Sequence, residues 1–366
     1  MSYRSSSFYL FLILLPIAVI FVFFPSFKGD AFNDDVIDTH EHIQSIEQAE
    51  ILLEANADKG ISKTVLLPSP IETLTLNGHE SFTGYRQNVD EILKIAETYP
   101  DDFIPLCTVS PLDTDALEYV KSCIERGGKG IKLYNGHSYY YDIFGLPLDS
   151  PRMMPIYAYA ERNHVPLLYH INIQKYRAEL ENILKKYPDL VLSVPHFMVA
   201  STRLEQVEEL MDEYPNLYTD VSFGSPEYMA AGLRRIGSIP EKFRAFIEKY
   251  PDRILFGTDM VLTKTAYKDK DFVEEVLQCY RDMLEQKIYT CNAVKDYYKK
   301  EFDTYAKAYE VCRPKEGKYC ISKKAKMDAR KKWYEGTKKI NGLDLDAETL
   351  EKIYQTNPKR FLGISD

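Results

Sequence analysis

The chain has no surplus of basic residues, no glycine-rich phosphate loop after its first predicted strand and no Cys-x-x-Cys spacing. Its 46 Lys and Arg residues are outnumbered by 55 Asp and Glu residues, which gives a formal net charge of −9 over 366 residues. Because nucleic-acid binding needs a basic surplus, this composition argues against a nucleic-acid partner. No glycine-rich phosphate loop follows the first predicted strand, which removes the main case for a dinucleotide cofactor. The six cysteines contain no Cys-x-x-Cys spacing, so no zinc knuckle is predicted.

One long apolar run stands at the N-terminus. Phe8–Phe24 contains 17 consecutive apolar residues, and as a helix it would span about 26 Å, close to the roughly 30 Å of a hydrocarbon core. Gly29 and Ala31 fit a cleavage site, so residues 1–35 are predicted as a signal-anchor or a signal peptide with a linker, and we favour the anchor. Arg4 favours a cytoplasmic N-terminus, which places the following domain outside the cytoplasm, either anchored or secreted.

After this leader, short apolar runs alternate with longer amphipathic ones. Eight such units imply parallel strands joined by helical crossovers, and we predict a (βα)8 TIM barrel over residues 36–285, with a doubly wound open sheet as the alternative. The strands are predicted at Val36–Asp38, Lys63–Leu67, Phe103–Val109, Gly130–Leu133, Pro166–Tyr169, Val191–Val194, Leu217–Thr219 and Ile254–Phe256.

Three connections are long for a barrel. Pro68–Gly84 and Tyr134–Ser150 follow strand ends, so they should border the mouth of the barrel. Residues 286–342 form a predicted helical insertion with 16 Lys and Arg against 7 Asp and Glu, a net charge of +9. These lysines indicate either solvated helices or a basic lid that attracts an anionic substrate or docks on the acidic barrel. Residues 343–366 are predicted as a closing C-terminal helix.

The cysteines are compatible with an oxidising compartment. Two pairs are predicted to form disulfides, the first more strongly than the second: Cys312–Cys320 and Cys279–Cys291. Cys107 and Cys123 lie in strand-like and helix-like runs and are predicted as buried thiols.

A His-x-His motif ends the first predicted strand. Side chains alternate along a strand, so His40 and His42 point to the same side while Glu41 points away. The C-terminal ends of all barrel strands meet at one mouth, which also brings His170 and Asp259 within reach. Three imidazole nitrogens and one carboxylate suit zinc with a position left open for water.

The chain resembles the amidohydrolase superfamily, in the branch that includes decarboxylases and lactonases. The similarity covers about 36–262 and the last twenty residues, while the leader and the insertion lie outside it. It rests on seven stretches in order: Ile37–His42, Gly130–Leu133, Leu168–His170, Pro195-His196, Asn216–Ser222, Arg253–Asp259 and Asn357–Leu362.

This resemblance implies a site of one or two divalent ions, most simply zinc. Four residues are implied as ligands: His40, His42, His170 and Asp259. In binuclear relatives the strand-four lysine, here Lys132, becomes a carbamate that bridges two ions, and His196 joins the second ion. In mononuclear relatives His196 contacts the bound water instead, and we favour this one-ion state.

The resemblance also implies the chemistry. A zinc-bound water has a pKa of about 7, Asp259 would accept its proton, and the metal or His196 would polarise the scissile carbonyl. Asp38 is a better candidate than Glu41 to orient a ligand, and Asp220 is either a site residue or a structural one. His137 adjoins the tyrosines 139–141, which pack on the rim or stack on an aromatic substrate; His79 and His164 are predicted at the surface or at helix ends.

We therefore expect a metal-dependent hydrolase of an amide, lactone or ester bond in a small molecule. Two alternatives stay open at this point. One is non-oxidative decarboxylation of an aromatic or unsaturated acid with the same metal. The other is an anchored binding protein without catalysis, although such a protein has no physical need for the complete ligand set.

Overall fold

A parallel barrel organises the part of the chain that the structure describes. The computed structural model describes residues 35–75, 81–264, 268–313 and 318–365. The nine strands of the barrel run in sequence order around it: β1 Val36–Glu41, β2 Ile61–Leu66, β3 Phe103–Pro105, β4 Cys107–Thr108, β5 Ile131–Gly136, β6 Leu167–Ile171, β7 Leu192–Ser193, β8 Leu217–Asp220 and β9 Ile254–Leu255.

Eight barrel positions result, because β3 and β4 are one strand interrupted at Leu106. The first half pairs with β2 and the second half with β5, and all these pairings are parallel. The barrel closes between its last and first strands, where Thr39 N–H donates to the Phe256 carbonyl at 3.0 Å and Asp259 N–H to the His40 carbonyl at 2.7 Å. The eight predicted strands are confirmed, and the open-sheet alternative is wrong.

Helices follow the strands and cover the outside of the barrel. Their apolar faces pack on the sheet, and caps such as Asp269, whose carboxylate accepts from Phe272 N–H at 3.0 Å, fix their first turns. They are α1 Ile46–Lys59, α2 Ile71–Thr75, α3 Tyr85–Thr98, α4 Ala116–Glu125, α5 Ser138–Phe144, α6 Met154–Arg162, α7 Ile173–Lys186, α8 Pro195–Met198, α9 Leu204–Glu213, α10 Pro226–Ser238, α11 Pro240–Lys249, α12 Lys270–Glu285, α13 Asn292–Cys312, α14 Lys318–Gly336, α15 Ala347–Glu351 and α16 Asn357–Leu362, with a π turn at Lys352–Thr356.

An apolar layer fills the lower half of the barrel. It contains seven buried side chains from five of the eight barrel positions, and the C-terminal helix α16 adds Phe361 and Leu362 to it. Two residues further along the same strands, the inward position is polar: His170 follows Leu168, and Asp220 follows Tyr218. The period of two along a strand therefore stacks a polar layer at the mouth on an apolar floor.

The predicted insertion contains two long helices. α13 and α14 pack against each other. A short antiparallel pair of strands joins the two ends of the insertion: β10 Ile288–Tyr289 before α13 and β11 Ile340–Asn341 after α14. Arg234 of α10 lies over Trp333 of α14, with its guanidinium carbon 4.6 Å from the ring centre. The domain limits at 285 and 342 stay a prediction.

Among the described residues, no helix combines the length and the apolar character that crossing a bilayer requires. The apolar run Phe8–Phe24 lies outside the described residues, as does His79.

All six cysteines form disulfides. Cys312–Cys320 and Cys279–Cys291 are confirmed. The prediction of free thiols at Cys107 and Cys123 is wrong, because β4 and α4 place their Cα atoms 6.0 Å apart and the two sulfurs are bonded. Both side chains are buried, as predicted, in a small cluster with Val89. Burial alone therefore did not distinguish a thiol from a disulfide.

We expect the Cys107–Cys123 disulfide to contribute substantially to stability. It closes a loop with a sequence separation of 16, and constraining the unfolded chain over about 15 residues contributes roughly 3 kcal/mol. A Cys107→Ala/Cys123→Ala variant should unfold at a clearly lower guanidinium concentration than the unchanged protein. The matched control is Cys312→Ala/Cys320→Ala, which opens a shorter loop, with a sequence separation of 8, and should cost less. Equal midpoints for the unchanged protein and the first variant would contradict this expectation.

Candidate active site

Seven polar residues from six strands and the residues just after them meet at the mouth of the barrel. Two of them come from the end of the first barrel strand, Lys132 comes from within its strand, and the others lie at or just beyond the ends of later strands. They are His40 on β1 and His42 directly after it (the β1 histidines), Lys132 on β5, His170 on β6, His196 three residues after β7, Asp220 on β8 and Asp259 four residues after β9.

Asp259 stands at the centre of this group. One carboxylate oxygen, Oδ1, lies 3.5 Å from His40 Nε2 and 3.2 Å from His42 Nε2. The other oxygen, Oδ2, lies 3.5 Å from His196 Nε2. Three imidazoles thus present the same ring nitrogen to one carboxylate, and each of the two oxygens faces a different part of the site.

Asp220 orients the His40 ring directly and acts on His196 through its backbone and through Ser222. Its Oδ2 accepts from His40 Nδ1 at 2.7 Å, and its Oδ1 accepts from the backbone N–H of His196 at 2.8 Å. The Ser222 hydroxyl also donates to Oδ1 at 2.6 Å, and His196 Nδ1 lies 2.8 Å from that same hydroxyl. Because each Nδ1 is held by an acceptor, the Nε2 lone pairs of His40 and His196 are left for a cation, an arrangement that protein metal sites commonly use.

Lys132 and His170 complete the layer. Lys132 Nζ is 3.2 Å from His40 Nε2, and the lysine is only 1% exposed. The His170 ring lies against two other imidazoles, with its centre 5.0 Å from that of His196 and 4.6 Å from that of His137. His170 is therefore near the site, but it is outside the group formed by His40, His196 and Asp259, whose possible ligand atoms lie within 4.8 Å of one another.

Burial sets the protonation of the site. It lowers the pKa of His40 to about 4, with Lys132 adding to the effect, and it lowers the pKa of Lys132 to about 8. Burial raises the pKa of Asp259, but the neighbouring imidazoles outweigh it and hold that pKa well below the usual value. Neutral imidazoles and an ionised carboxylate are the forms in which these groups bind metals.

Two buried carboxyls support the backbone behind the ligands. Asp38 accepts from the backbone N–H of His40 at 2.9 Å, and Glu41 accepts from Met260 N–H at 2.9 Å. The Thr258 hydroxyl contacts both carboxyls. Burial raises the pKa of Asp38 to about 7 and, together with Asp38, raises that of Glu41 well above its usual value. Neither carboxyl reaches a histidine ring, so the expectation that Asp38 orients a ring is wrong, and Asp220 does so instead.

The backbone at the site is strained. His196, Phe197, Met198 and Val199 have φ values of 61°, 50°, 56° and 57°, so four successive non-glycine residues are left-handed. This conformation costs about 1–2 kcal/mol per residue. Asp259 is also left-handed, at φ 55°. Such strain persists only where surrounding contacts determine it, and it is concentrated at functional sites.

Two glycines allow close approach to the ligands. A Cβ atom on Gly257 would lie 2.9 Å from His40 Cβ, and one on Gly224, whose φ is 77°, would lie 2.6 Å from Asp259 Oδ2. A side chain at either position would displace a ligand or its carboxylate.

The donor set fits a zinc ion. Ligand atoms at about 2.0–2.1 Å in a tetrahedron lie about 3.3–3.4 Å from one another. The separations of 3.5 Å and 3.2 Å between Asp259 Oδ1 and the Nε2 atoms of His40 and His42 are close to this spacing. The site therefore has the charge, the ligand types and the spacing for a divalent cation.

Of the residues predicted for the site, His40, His196 and Asp259 have ligand atoms within 4.8 Å of one another, His42 lies 3.2 Å from Asp259, and His170 has a ring contact with His196. Asp220 has a larger part than the sequence indicated, and its partner Ser222 was not identified from the sequence. Ser222 follows Asp220 by two positions on the same inward-facing register, which is the signal that would have identified it. His137 caps α5, where its ring accepts from Tyr139 N–H at 3.3 Å.

The tyrosines beside His137 belong mainly to the protein's own packing. Tyr140 is buried, and Tyr141 stacks on Tyr176 with ring centres 4.0 Å apart. Tyr139, at 57% exposure, is the one of the three that a substrate could reach. His164 is exposed at the end of α6, as predicted.

Comparison with known proteins gives a family match over most of the barrel. The family model described as Amidohydrolase matches residues 37–298, which extends into α13. A comparison with curated proteins found no match.

Solved structures share the fold at low sequence identity. An amidohydrolase from Burkholderia multivorans with bound HEPES has a TM-score of 0.52 at 11% identity, covering 90% of this chain and 99% of that chain. The amidohydrolase from the same organism with bound zinc has a TM-score of 0.50 at 11% identity and the same coverage of 90% and 99%. A Staphylococcus aureus protein provisionally assigned as an amidohydrolase has a TM-score of 0.51 at 16% identity, again covering 90% and 99%. At these identities the likeness shows the fold alone.

Replacing Asp220 should weaken metal binding. Asp220→Asn keeps the size of the side chain. Both oxygens of Asp220 accept from donors, so the amide N–H₂ of the asparagine would face a donor group and lose that hydrogen bond. We expect zinc affinity, measured by competition with a chromophoric chelator, to fall roughly 10- to 100-fold, as is common when a partner of a ligand is lost. Asp212→Asn is the matched control, because Asp212 pairs with Lys249 on the outside of the barrel. Unchanged affinity in Asp220→Asn would refute the orienting role.

Proposed function

The chain belongs to the amidohydrolase family and is an enzyme of that superfamily, and on this premise we propose that it hydrolyses an amide, lactone or ester bond in a small molecule with a metal-activated water. The observation that carries the proposal is the convergence of three imidazole Nε2 atoms on the two oxygens of Asp259. The noncatalytic alternative has no explanation for this convergence.

We propose that one divalent ion, zinc, is held by His40, His42, His170 and Asp259. Zinc when bound would lower the pKa of a water to about 7 and polarise a carbonyl. The two carboxylate oxygens of Asp259 face different groups, which supports a single ion: Oδ1 faces the two β1 histidines, and Oδ2 faces His196. The Burkholderia amidohydrolase with bound zinc is a precedent for this metal in the fold.

Asp259 and His196 would handle the protons and the developing charge. Asp259 Oδ2 is free of the β1 histidines, so it can accept a proton from the attacking water and return it to the leaving group. His196 Nε2 lies 3.5 Å from that oxygen, and its Nδ1 is fixed by Ser222. This arrangement places His196 to hydrogen-bond the substrate carbonyl oxygen as negative charge develops on it.

Lys132 is proposed to face the substrate as a neutral amine. Burial lowers its pKa to about 8, and its Nζ stands 3.2 Å from His40 Nε2. A cationic ammonium beside a divalent ion would be opposed by like-charge repulsion. In a two-ion site the same amine would instead add carbon dioxide and bridge the ions as a carbamate.

We also propose that the enzyme acts outside the cytoplasm. Three disulfides in one chain are typical of oxidising compartments and rare in reducing ones. Two further parts of the proposal are untested predictions from the sequence. The N-terminal apolar run would anchor the enzyme to a membrane, and the basic helices of residues 286–342 would attract an anionic substrate.

Metal removal should abolish activity and distinguish the one-ion state from the two-ion state. We expect about one equivalent of zinc by elemental analysis, loss of turnover after chelation, and recovery with zinc alone. Recovery that needs bicarbonate together with two equivalents of metal would instead support the Lys132 carbamate. A protein that binds no stoichiometric transition metal would refute the proposed function.

Asp259→Asn should lower turnover roughly 10²- to 10⁴-fold, the usual contribution of a general acid–base group. The substrate should be sought in a panel of lactones, esters, anilides and aromatic carboxylic acids, with acid release and carbon dioxide release recorded separately. Asp212→Asn on the outer face is again the control and should keep full turnover. Carbon dioxide release from an acid without hydrolysis of any other panel member would establish the decarboxylase alternative. Full turnover in Asp259→Asn would remove this residue from proton transfer.

A further inference from the structure

His42 is the one histidine facing Asp259 that Asp220 and Ser222 do not orient. Its Nδ1 faces the segment after β2 instead. Ser69 Oγ lies 2.7 Å from this nitrogen and the Leu67 carbonyl oxygen 3.1 Å, while the Tyr134 hydroxyl lies 3.4 Å away. The second histidine of the His-x-His motif therefore has its own set of partners.

The direction of this hydrogen-bond chain is fixed at its far end. The Tyr134 hydroxyl donates to the Pro68 carbonyl at 2.7 Å, and Ser69 Oγ lies 2.9 Å from the Tyr134 oxygen. A carbonyl only accepts, so the tyrosine proton is used there, and the Ser69 hydroxyl must donate to Tyr134. Ser69 Oγ then accepts from His42, which requires the proton on Nδ1. The lone pair of His42 consequently lies on Nε2, which faces Asp259.

Two segments at the mouth hold Tyr134 in place. Its ring centre lies 5.6 Å from that of Phe82 and 5.8 Å from that of Tyr140. Tyr140 in turn exchanges a hydrogen bond of 2.7 Å with Thr73. Phe82 and Thr73 belong to the connection after β2, Tyr140 belongs to the connection after β5, and Tyr134 lies on β5 itself. The two long connections are therefore packed together at the point where the chain to His42 begins.

We propose that Tyr134 and Ser69 are positioning residues that fix the tautomer and ring orientation of His42 for the metal. The proposal rests on the proposed function, since it assumes that His42 is a ligand. It assigns the long connections a second task besides bordering the mouth: their packing sets the direction of a metal ligand. Neither residue touches the substrate or the ion in this role.

The test is zinc affinity by chelator competition, together with thermal unfolding of the metal-free proteins. Tyr134→Phe keeps the ring between Phe82 and Tyr140 and removes only the hydroxyl, and Ser69→Ala removes the direct partner of Nδ1. Each should weaken zinc binding roughly 10-fold or more. Because both act through one hydrogen-bond chain, the double variant should lose less than the two single losses combined.

Tyr157→Phe is the matched control. Tyr157 is another buried tyrosine, and its hydroxyl contacts the Leu148 carbonyl at 2.8 Å and the Tyr169 hydroxyl at 3.2 Å. Tyr169 alternates with His170 along β6, so its side chain points to the other side of the strand from the site. We expect it to lower the unfolding temperature without changing zinc affinity.

Unchanged zinc affinity in Tyr134→Phe and Ser69→Ala, in a protein that binds zinc, would overturn this proposal alone. An equal loss of affinity in Tyr157→Phe would also overturn it, because the effect would then be general destabilisation. If Ser69→Ala fails to fold, Tyr134→Phe decides. A chain that binds no zinc at all would overturn the proposed function as well.

Discussion

The contacts of Asp220 are the constraint on which the site depends. This buried carboxylate accepts from the ring of His40 on one oxygen, and from the His196 backbone and the Ser222 hydroxyl on the other. It therefore joins the first barrel strand to the strained turn after β7. Four left-handed residues from His196 to Val199 are costly, and the hydrogen bond from His196 N–H, together with the burial of Phe197 and Met198, helps to offset that cost.

The imidazoles facing Asp259 are oriented by two independent devices. Asp220 and Ser222 hold His40 and His196, whereas Ser69 and Tyr134 hold His42. Asp220 lies on β8, whereas Ser69 lies in the connection after β2, and Tyr134 on β5 packs against Phe82 and Tyr140 of the two long connections. A change in the packing of the two long connections would therefore move the His42 ring, while the rings of His40 and His196 would keep their orientation. The link runs from Phe82 and Tyr140 to Tyr134 by packing, and from Tyr134 through Ser69 to His42 by hydrogen bonds.

The barrel, and the placement of polar residues at its mouth, could be predicted from the sequence, because both follow from local periodicity; the ligand roles of these residues stay a prediction. Alternating apolar runs mark the strands, and a polar residue at the next inward position marks the mouth, as His170 does after Leu168. The orienting partners could not be predicted in the same way. Asp220 and Ser69 act across distances of 180 and 27 residues, and their roles depend on register between strands. The Cys107–Cys123 bond was missed for the same reason, since pairing depends on the approach of β4 and α4.

The balance of charge in the site provides an argument for a cation that does not depend on the family. Asp220 and Asp259 are ionised and almost enclosed, and burial keeps the imidazoles of His40, His42 and His170 neutral. Lys132 is the only side-chain ammonium among the seven residues gathered there, and burial lowers its pKa to about 8. Isolated carboxylates in such surroundings are costly unless they are paired or bind a metal. Asp220 has four hydrogen-bond donors to offset its charge, whereas Asp259 faces imidazole nitrogens whose lone pairs point towards it. Lone pairs that face each other repel unless a proton or a cation lies between them, so the geometry of Asp259 is suited to binding a cation.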